Sequence, residues 1–363
     1  MTWPQEPTPQ LLEVEDLVTS FSTERGRLRA VDGVSFSLGR GRTLGIVGES
    51  GSGKSVLART IMGILARSAK IERGCVRFEG QDQRELSKRQ RRRIWGRDVA
   101  MVFQDPLSSL NPVVPISRQL TEGLRAHHGL DRSAARKHAV ELLKQVGISE
   151  PERRMDAYPH ELSGGMRQRV AIAIAIACSP RLLLADEPTT ALDVTIQRQI
   201  LDLLARLQAE TGMAMILISH DLGVVAQRTD DIAVMYAGRI VEWASARDLF
   251  SSPRHPYTAS LLASIPRIEE PSGTPLSSIP GSPPDMARVG AGCAFASRCQ
   301  FAQDRCLDET PSETWLSEGH AHRCFFPLSD LASPQQPISR AGDSGSPIEG
   351  PGTTDFRRAE NGW

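Results

Sequence analysis

The sequence predicts an α/β fold: a mixed sheet core, an antiparallel β layer, a helical insert and a small cysteine-containing C-terminal unit. Three observations predict it. An apolar run, Leu44 to Val47, meets a Gly-rich turn and then helix-forming sequence from Val56 to Leu65. Two more short apolar runs, Leu182 to Ala185 and Met213 to Ile218, read as buried strands. Residues 117–147 and 167–178 carry helical patterning instead, the first stretch broken at Gly129 and Gly147.

Composition narrows the class. At 363 residues the chain has room for one large α/β domain plus an appendage, or for two domains. Basic and acidic residues balance at 43 each, so no global field points to nucleic acid or an anionic membrane. The longest apolar run, Val170 to Cys178, falls well short of the ~20 residues of a membrane span and reads as a buried helix. Residues Met1 to Gln10 are Pro-rich and polar, without an apolar signal-peptide core. The expectation is a cytoplasmic protein, held at a membrane only through a partner. Six cysteines in such a compartment are not expected to form a disulfide framework.

Taken in order, Leu11 to Phe21 alternates like a strand and Val31 to Leu38 reads as its partner, with Gly26 in the turn. Phe21 is the aromatic of this hairpin placed to stack on a base, or else an ordinary core or edge-strand residue. Gly48-Glu49-Ser50-Gly51-Ser52-Gly53-Lys54-Ser55 then fits the phosphate-loop pattern without a mismatch. Strand, Gly-rich turn and helix start form the context that such a loop requires. Its backbone N–H groups and the helix N-terminus favour an anion. Lys54 would reach the β- and γ-phosphates, and the Ser55 hydroxyl would bind Mg²⁺. This predicts a nucleoside-triphosphate site.

Seven basic residues between Arg84 and Arg97 read as a solvated helix face, with nucleic-acid contact as the alternative. Val99 to Phe103 is a short strand closed by Gln104-Asp105-Pro106, where a Gln can bind a metal-bound water. After the helical insert, Ser163-Gly164-Gly165 opens a helix and offers a second anion cradle. Leu182 to Glu187 ends in two carboxylates: Asp186 is placed to hold Mg²⁺, and Glu187 to take a proton from attacking water. His220 closes the next strand on the edge where ligands of such sheets bind. Asp231 to Val234 and Gly238 to Val241 complete a last strand pair. After Phe250 the composition changes: Pro271 to Pro284 reads as a linker, and residues beyond Leu331 as a disordered tail.

These motifs in this order, with the Ser-Gly-Gly signature between the phosphate loop and the strand that ends in Asp186-Glu187, resemble the nucleotide-binding subunit of an ABC transporter over residues 11–250. Phe103 to Pro106, Ser109 to Pro112, Asp186 to Asp193, Arg254 to Thr258 and the four-cysteine C-terminal unit resemble the oligopeptide/dipeptide/nickel importer branch, to about residue 332. The resemblance implies an ATPase cassette at 11–250 with a helical insert at about 105–178. A C-terminal importer-type domain at 251–332 and a disordered 333–363 would follow. It implies that Phe21 stacks on adenine and that Gly48 to Ser55 and Val56 hold the phosphates. Ser55, Gln104 and Asp186 would hold Mg²⁺, with Gln104 also sensing the γ-phosphate. Glu187 would be the general base, assisted by Lys54, Gln104 and His220. Ser163, Gly164, Gly165 and Asp193 would act in trans on ATP of an opposing cassette. Met166 stands where many cassettes have Gln, so no contact is assigned to it.

The implied partners are a paralogous ATPase or a second copy, two transmembrane permease subunits and an extracytoplasmic solute-binding protein. The implied location is peripheral, on the cytoplasmic face of the inner membrane. Uptake of peptides is the expected role, with nickel or another solute, an exporter ATPase, or a non-transport repair-type ATPase as alternatives. Cys293, Cys299, Cys306 and Cys324 follow C-x5-C-x6-C-x17-C. Members of the branch can carry a [4Fe–4S] cluster on a similar spacing, so the resemblance implies a cluster, against zinc or four unconnected thiols.

Overall fold

The structure, a computed structural model, describes residues 10–24, 26–105, 109–190, 192–265, 279–286, 290–317 and 319–331. The Pro-rich first residues, Pro106, Ala191, the linker over 271–278 and the expected tail at 333–363 lie outside the described residues.

The hairpin expected at the start is β1 (Leu12–Thr23) with β2 (Gly26–Leu38), paired antiparallel. The run before the phosphate loop is β3 (Thr43–Val47), buried at all five positions, and α1 (Lys54–Met62) follows the loop. Next come β4 (Ala69–Phe78) and β5 (Gln81–Asp82). They complete a four-stranded antiparallel sheet in the order β2-β1-β4-β5. The basic run forms α2 (Lys88–Ile94), started by a Ser87/Gln90 capping box. No residue of α2 is buried, so its arginines are a solvated face.

β6 (Val99–Val102) leads into the helical arm: α3 (Ile116–His128), α4 (Arg132–Gln145) and α5 (Gly164–Ile176). Burial at Ile116, Leu120 and Leu124 in α3, and at Ala135, Ala139, Leu142 and Leu143 in α4, forms an i, i+3/i+4 stripe. Then come β7 (Leu182–Asp186), α6 (Val194–Thr211), β8 (Ala214–Ser219), α7 (Leu222–Ala226), β9 (Asp231–Tyr236) and β10 (Arg239–Ser245). After them come α8 (Ala246–Ser251), α9 (Pro256–Ala263), β11 (Thr314–Ser317) and β12 (His320–His322).

The second sheet has eight strands in the order β11-β12-β10-β9-β3-β8-β7-β6. β9, β3, β8, β7 and β6 are mutually parallel, and β10, β12 and β11 continue antiparallel, so the sheet is mixed as expected. Alternation splits its side chains between two cores. Leu44, Ile46, Leu182, Leu184, Ile216 and Ile218 face the antiparallel layer, packing with Val34, Phe36 and Leu57. Leu183, Ala185, Met215 and Leu217 join the core that contains the buried residues of the helical arm and of α6.

Register places the chemistry. Val47 lies beside Ser219 and Asp186 beside Ile218, so β3, β7 and β8 end level. The phosphate loop, the two carboxylates and His220 therefore emerge at one C-terminal edge of the sheet. No helix among the described residues is long and apolar enough to cross a membrane.

Candidate active site

The phosphate loop is an arch that only glycine can close at two points. Gly48 (φ 154°) and Gly53 (φ 103°) adopt positive φ, and a Cβ at either would run into backbone, Met235 O and Ala30 O respectively. Inside the arch, Lys54 is 4% exposed. Its Nζ donates to the carbonyls of Gly48 (2.7 Å) and Glu49 (2.9 Å) and, more weakly, to Ser52 Oγ (3.4 Å). Burial lowers its pKa, opposed by Glu187, Asp186 and Glu49. An ammonium resting on loop carbonyls is a charge awaiting an anion.

Ser55 Oγ donates to Asp186 Oδ1 at 2.8 Å. Asp186 is fully buried, and its Oδ2 has no hydrogen-bond partner. Burial raises its pKa, opposed chiefly by Ser55. A hydroxyl beside a buried, half-unpartnered carboxylate is a hard oxygen donor set, and it fits Mg²⁺.

Glu187 occupies a left-handed conformation (φ 45°) just past β7. That turns its carboxylate into a cluster: Gln104 Nε2 donates to Oε2 at 3.0 Å, Thr190 Oγ1 at 2.9 Å, and His220 Nδ1 lies 3.3 Å away. The contact with His220 is the main cause holding Glu187 below the usual carboxylate range, with Thr190 adding to it. The same contact lifts His220 above the usual imidazole value. The structure thus brings together Lys54, Ser55, Gln104, Asp186, Glu187 and His220. Thr190 was not singled out in sequence, although its place three residues after Glu187, in the turn before α6, is a usable signal.

Other expected residues stand apart. Phe21 is half-buried in β1, paired with Leu28 and Ala69. Ser163 caps α5 by accepting from the N–H of Met166 (3.3 Å), and Asp193 caps α6 by accepting from that of Ile196 (2.9 Å). Among the described residues no hydrogen bond joins Ser163, Gly164, Gly165 or Asp193 to this chain's phosphate loop. Ser50 and Gly51 are exposed at the top of the arch, Val56 is half-buried in α1, and the Glu49 carboxylate is bound by Arg298 at 2.6 and 3.0 Å.

Residues 31–190 match the ABC transporter family, and residues 241–306 match the oligopeptide/dipeptide transporter C-terminal region. The dipeptide transport ATP-binding protein DppD of Escherichia coli (strain K12) is 47% identical over 89% of this chain and 99% of its own length. This chain is an ABC transporter ATPase of the oligopeptide/dipeptide family. The oligopeptide transport ATP-binding protein OppD of Bacillus subtilis (strain 168) is 49% identical over 90% of this chain and 92% of its own. Among solved structures, the dimeric post-hydrolysis ATP-binding cassette MJ0796, bound to ADP and Pi, superposes with a TM-score of 0.59. It is 27% identical and covers 65% of this chain and 99% of that one. ATP and Mg²⁺ use by this ABC ATPase follows from the cassette.

The [4Fe–4S] expectation is corrected, and zinc gains no support either. Among the described residues no group of three or more His, Cys, Asp or Glu side chains is arranged to hold a metal ion. The relatives are named simply as ATP-binding proteins. Cys293, Cys299, Cys306 and Cys324 are free and do line one recess, but its walls are Phe295, Phe301, Phe325 and Phe326. Burial pushes the Cys293 and Cys299 thiols up, and Cys324 up to about 12. Cys75 and Cys178 are buried, as expected.

Proposed function

We propose that this chain binds MgATP on the Gly48–Ser55 loop and hydrolyses it with Glu187 as general base. It thereby powers peptide uptake through a separate transmembrane permease. The observation that carries the reading is the convergence of Glu187, Gln104 and His220 beside the Ser55–Asp186 pair and Lys54. The loop amides, the start of α1 at Val56 and Lys54 hold the phosphates, and Phe21 stacks on the adenine. Ser55, Gln104 and Asp186, the last through water, would hold Mg²⁺, which would supply charge neutralisation at the phosphates. Glu187 takes a proton from the attacking water as its oxygen bonds to the γ-phosphorus and the bond to the β-phosphate oxygen breaks. His220 contacts the γ-phosphate.

The site is completed in trans by Ser163, Gly164, Gly165 and Asp193 of an opposing cassette, a paralogue or a second copy. The dimeric state of the similar cassette supports this, as does Val194, 82% exposed next to Asp193. The remaining partners are two permease subunits and an extracytoplasmic binding protein, with the ATPase peripheral on the cytoplasmic face. The names of the relatives, dipeptide and oligopeptide transport ATP-binding proteins, support peptides as the cargo. Residues 11–250 form the ATPase unit and 251–332 an appended unit docked on it. In the assembled transporter, Glu187→Gln should abolish turnover while ATP still binds. Near-normal hydrolysis by that variant would remove Glu187 from its role.

A further inference from the structure

We propose that Arg298 and Tyr257, from the C-terminal unit, are positioning residues of the ATP site. They hold Glu49, the second residue of the phosphate loop, so that the loop is arched before nucleotide arrives. The proposal rests on the reading that this loop binds ATP, and extends it to residues outside the cassette motifs.

The geometry is a two-point clamp. The Arg298 guanidinium meets the Glu49 carboxylate through both of its terminal nitrogens, Nη1 to Oε2 at 2.6 Å and Nη2 to Oε1 at 3.0 Å. This fork-on-carboxylate arrangement fixes orientation as well as distance. The backbone N–H of Glu49 donates to Tyr257 Oη at 2.8 Å, so main chain and side chain of this residue are both held.

The clamp is itself immobilised. Arg298 donates through Nε to the carbonyl of Pro280 (2.7 Å), and its side chain is 4% exposed. Its guanidinium carbon lies 5.9 Å from the Tyr236 ring and 6.0 Å from that of Phe295. Tyr257 is fully buried, with its ring centroid 4.6 Å from that of Tyr236 and 5.3 Å from that of Phe295. The other face of the clamp is Lys54, whose ammonium rests on the Gly48 and Glu49 carbonyls. One continuous set of contacts therefore runs from the C-terminal core through Glu49 to the phosphate-binding lysine.

A loop with exposed Ser50 and Gly51 and glycines at three positions loses considerable freedom when it closes on phosphate. Ordering it beforehand removes that cost from binding. A contact that only tethered the C-terminal unit would have no need of the Glu49 N–H.

The test is equilibrium binding of MgATP to the full-length chain, with kcat and KM measured in the assembled transporter. Arg298→Met and Glu49→Gln should each weaken ATP binding about tenfold, the scale of a hydrogen bond to a charged group. KM should rise in step, and in Arg298→Met kcat should stay within about twofold. The double variant should be no worse than the weaker single, because each acts through the other. Arg298→Lys should recover part of the loss, and Tyr257→Phe, which removes only the Glu49 N–H acceptor, should show a smaller loss with the fold retained. Unchanged ATP affinity in folded Glu49→Gln and Tyr257→Phe, with only a lower melting temperature, would overturn the proposal and leave the clamp as structure. Multiplying effects in the double variant would overturn it as well. A wild-type chain that binds no ATP would overturn both the proposal and the reading beneath it.

Discussion

The carboxylate of Glu187 shows how three neighbours set one acid. Thr190 is the simplest to remove. Thr190→Val deletes a hydroxyl that stabilises the ionised carboxylate, so the proton affinity of Glu187 rises. The acid limb of the pH–rate profile for ATP hydrolysis should move to higher pH, and an unmoved limb would mean that Glu187 does not titrate in turnover. Its contact with His220 also links to stability. Glu187 is lowered from 4.5, so its contribution is present above that value and lost as pH falls through the lowered pKa. His220 is raised from 6.5, so its contribution is complete below 6.5 and lost as pH rises through the raised pKa. The pair thus stabilises most between these two ordinary values. Melting temperatures of wild type and His220→Gln should differ most in that window and converge on the alkaline side. At Asp186, Asn would keep the shape and remove the charge. Asp186→Asn should abolish the Mg²⁺ dependence of ATP binding, which titration with and without the metal checks.

At the scale of elements, the strands that carry the site are ordinary buried strands whose ends happen to be level. Leu184 is fully buried against the antiparallel layer. Leu184→Ala should cost about 2–5 kcal/mol in chemical denaturation, the usual range for a large-to-small change in a packed core. Gly48→Ala should abolish ATP binding in a folded chain, because its Cβ meets the carbonyl of Met235 rather than a movable side chain. These elements were legible because their signals are local: continuous apolar runs, a Gly-rich turn, and a helical stripe ended by glycine. β4 was not. Its sequence, Ala-Lys-Ile-Glu-Arg-Gly-Cys-Val-Arg-Phe, mixes charge with few apolar positions, and pairing with β1 and β5 makes it a strand. β12 is three residues long, too short for any periodicity to register. The active-site residues were readable from motif spacing, but the Arg298–Glu49 pair joins residues 249 positions apart and leaves no local trace. The cysteines misled for the opposite reason: spacing is visible in sequence, whereas whether the side chains converge as metal ligands is set by the fold, and among the described residues they do not.

For the whole molecule, the C-terminal unit and the cassette share a core as well as a contact. Tyr236 of β9 packs on Tyr257 and Phe295, and Glu242 of β10 is buried while accepting from the N–H groups of Arg254 and His255 (2.7 and 2.9 Å) and lying 3.0 Å from His320 Nε2. Removing those partners would strand a buried carboxylate. A chain ending at Ser252 should therefore melt well below the full-length protein or be recovered aggregated, and an unchanged melting curve would show that the unit contributes nothing to cassette stability.

The pairing of β12 with β10 carries a consequence for how such a chain can be cut and joined. β10 would otherwise be the rim of the large sheet, with a row of backbone donors and acceptors open to any passing strand. Two short strands from the far end of the sequence seal that rim. A graft that swapped tails between related ATPases at residue 250 would have to bring its own seal of matching register. Without one, the hybrid would offer its neighbours a template for edge-to-edge association.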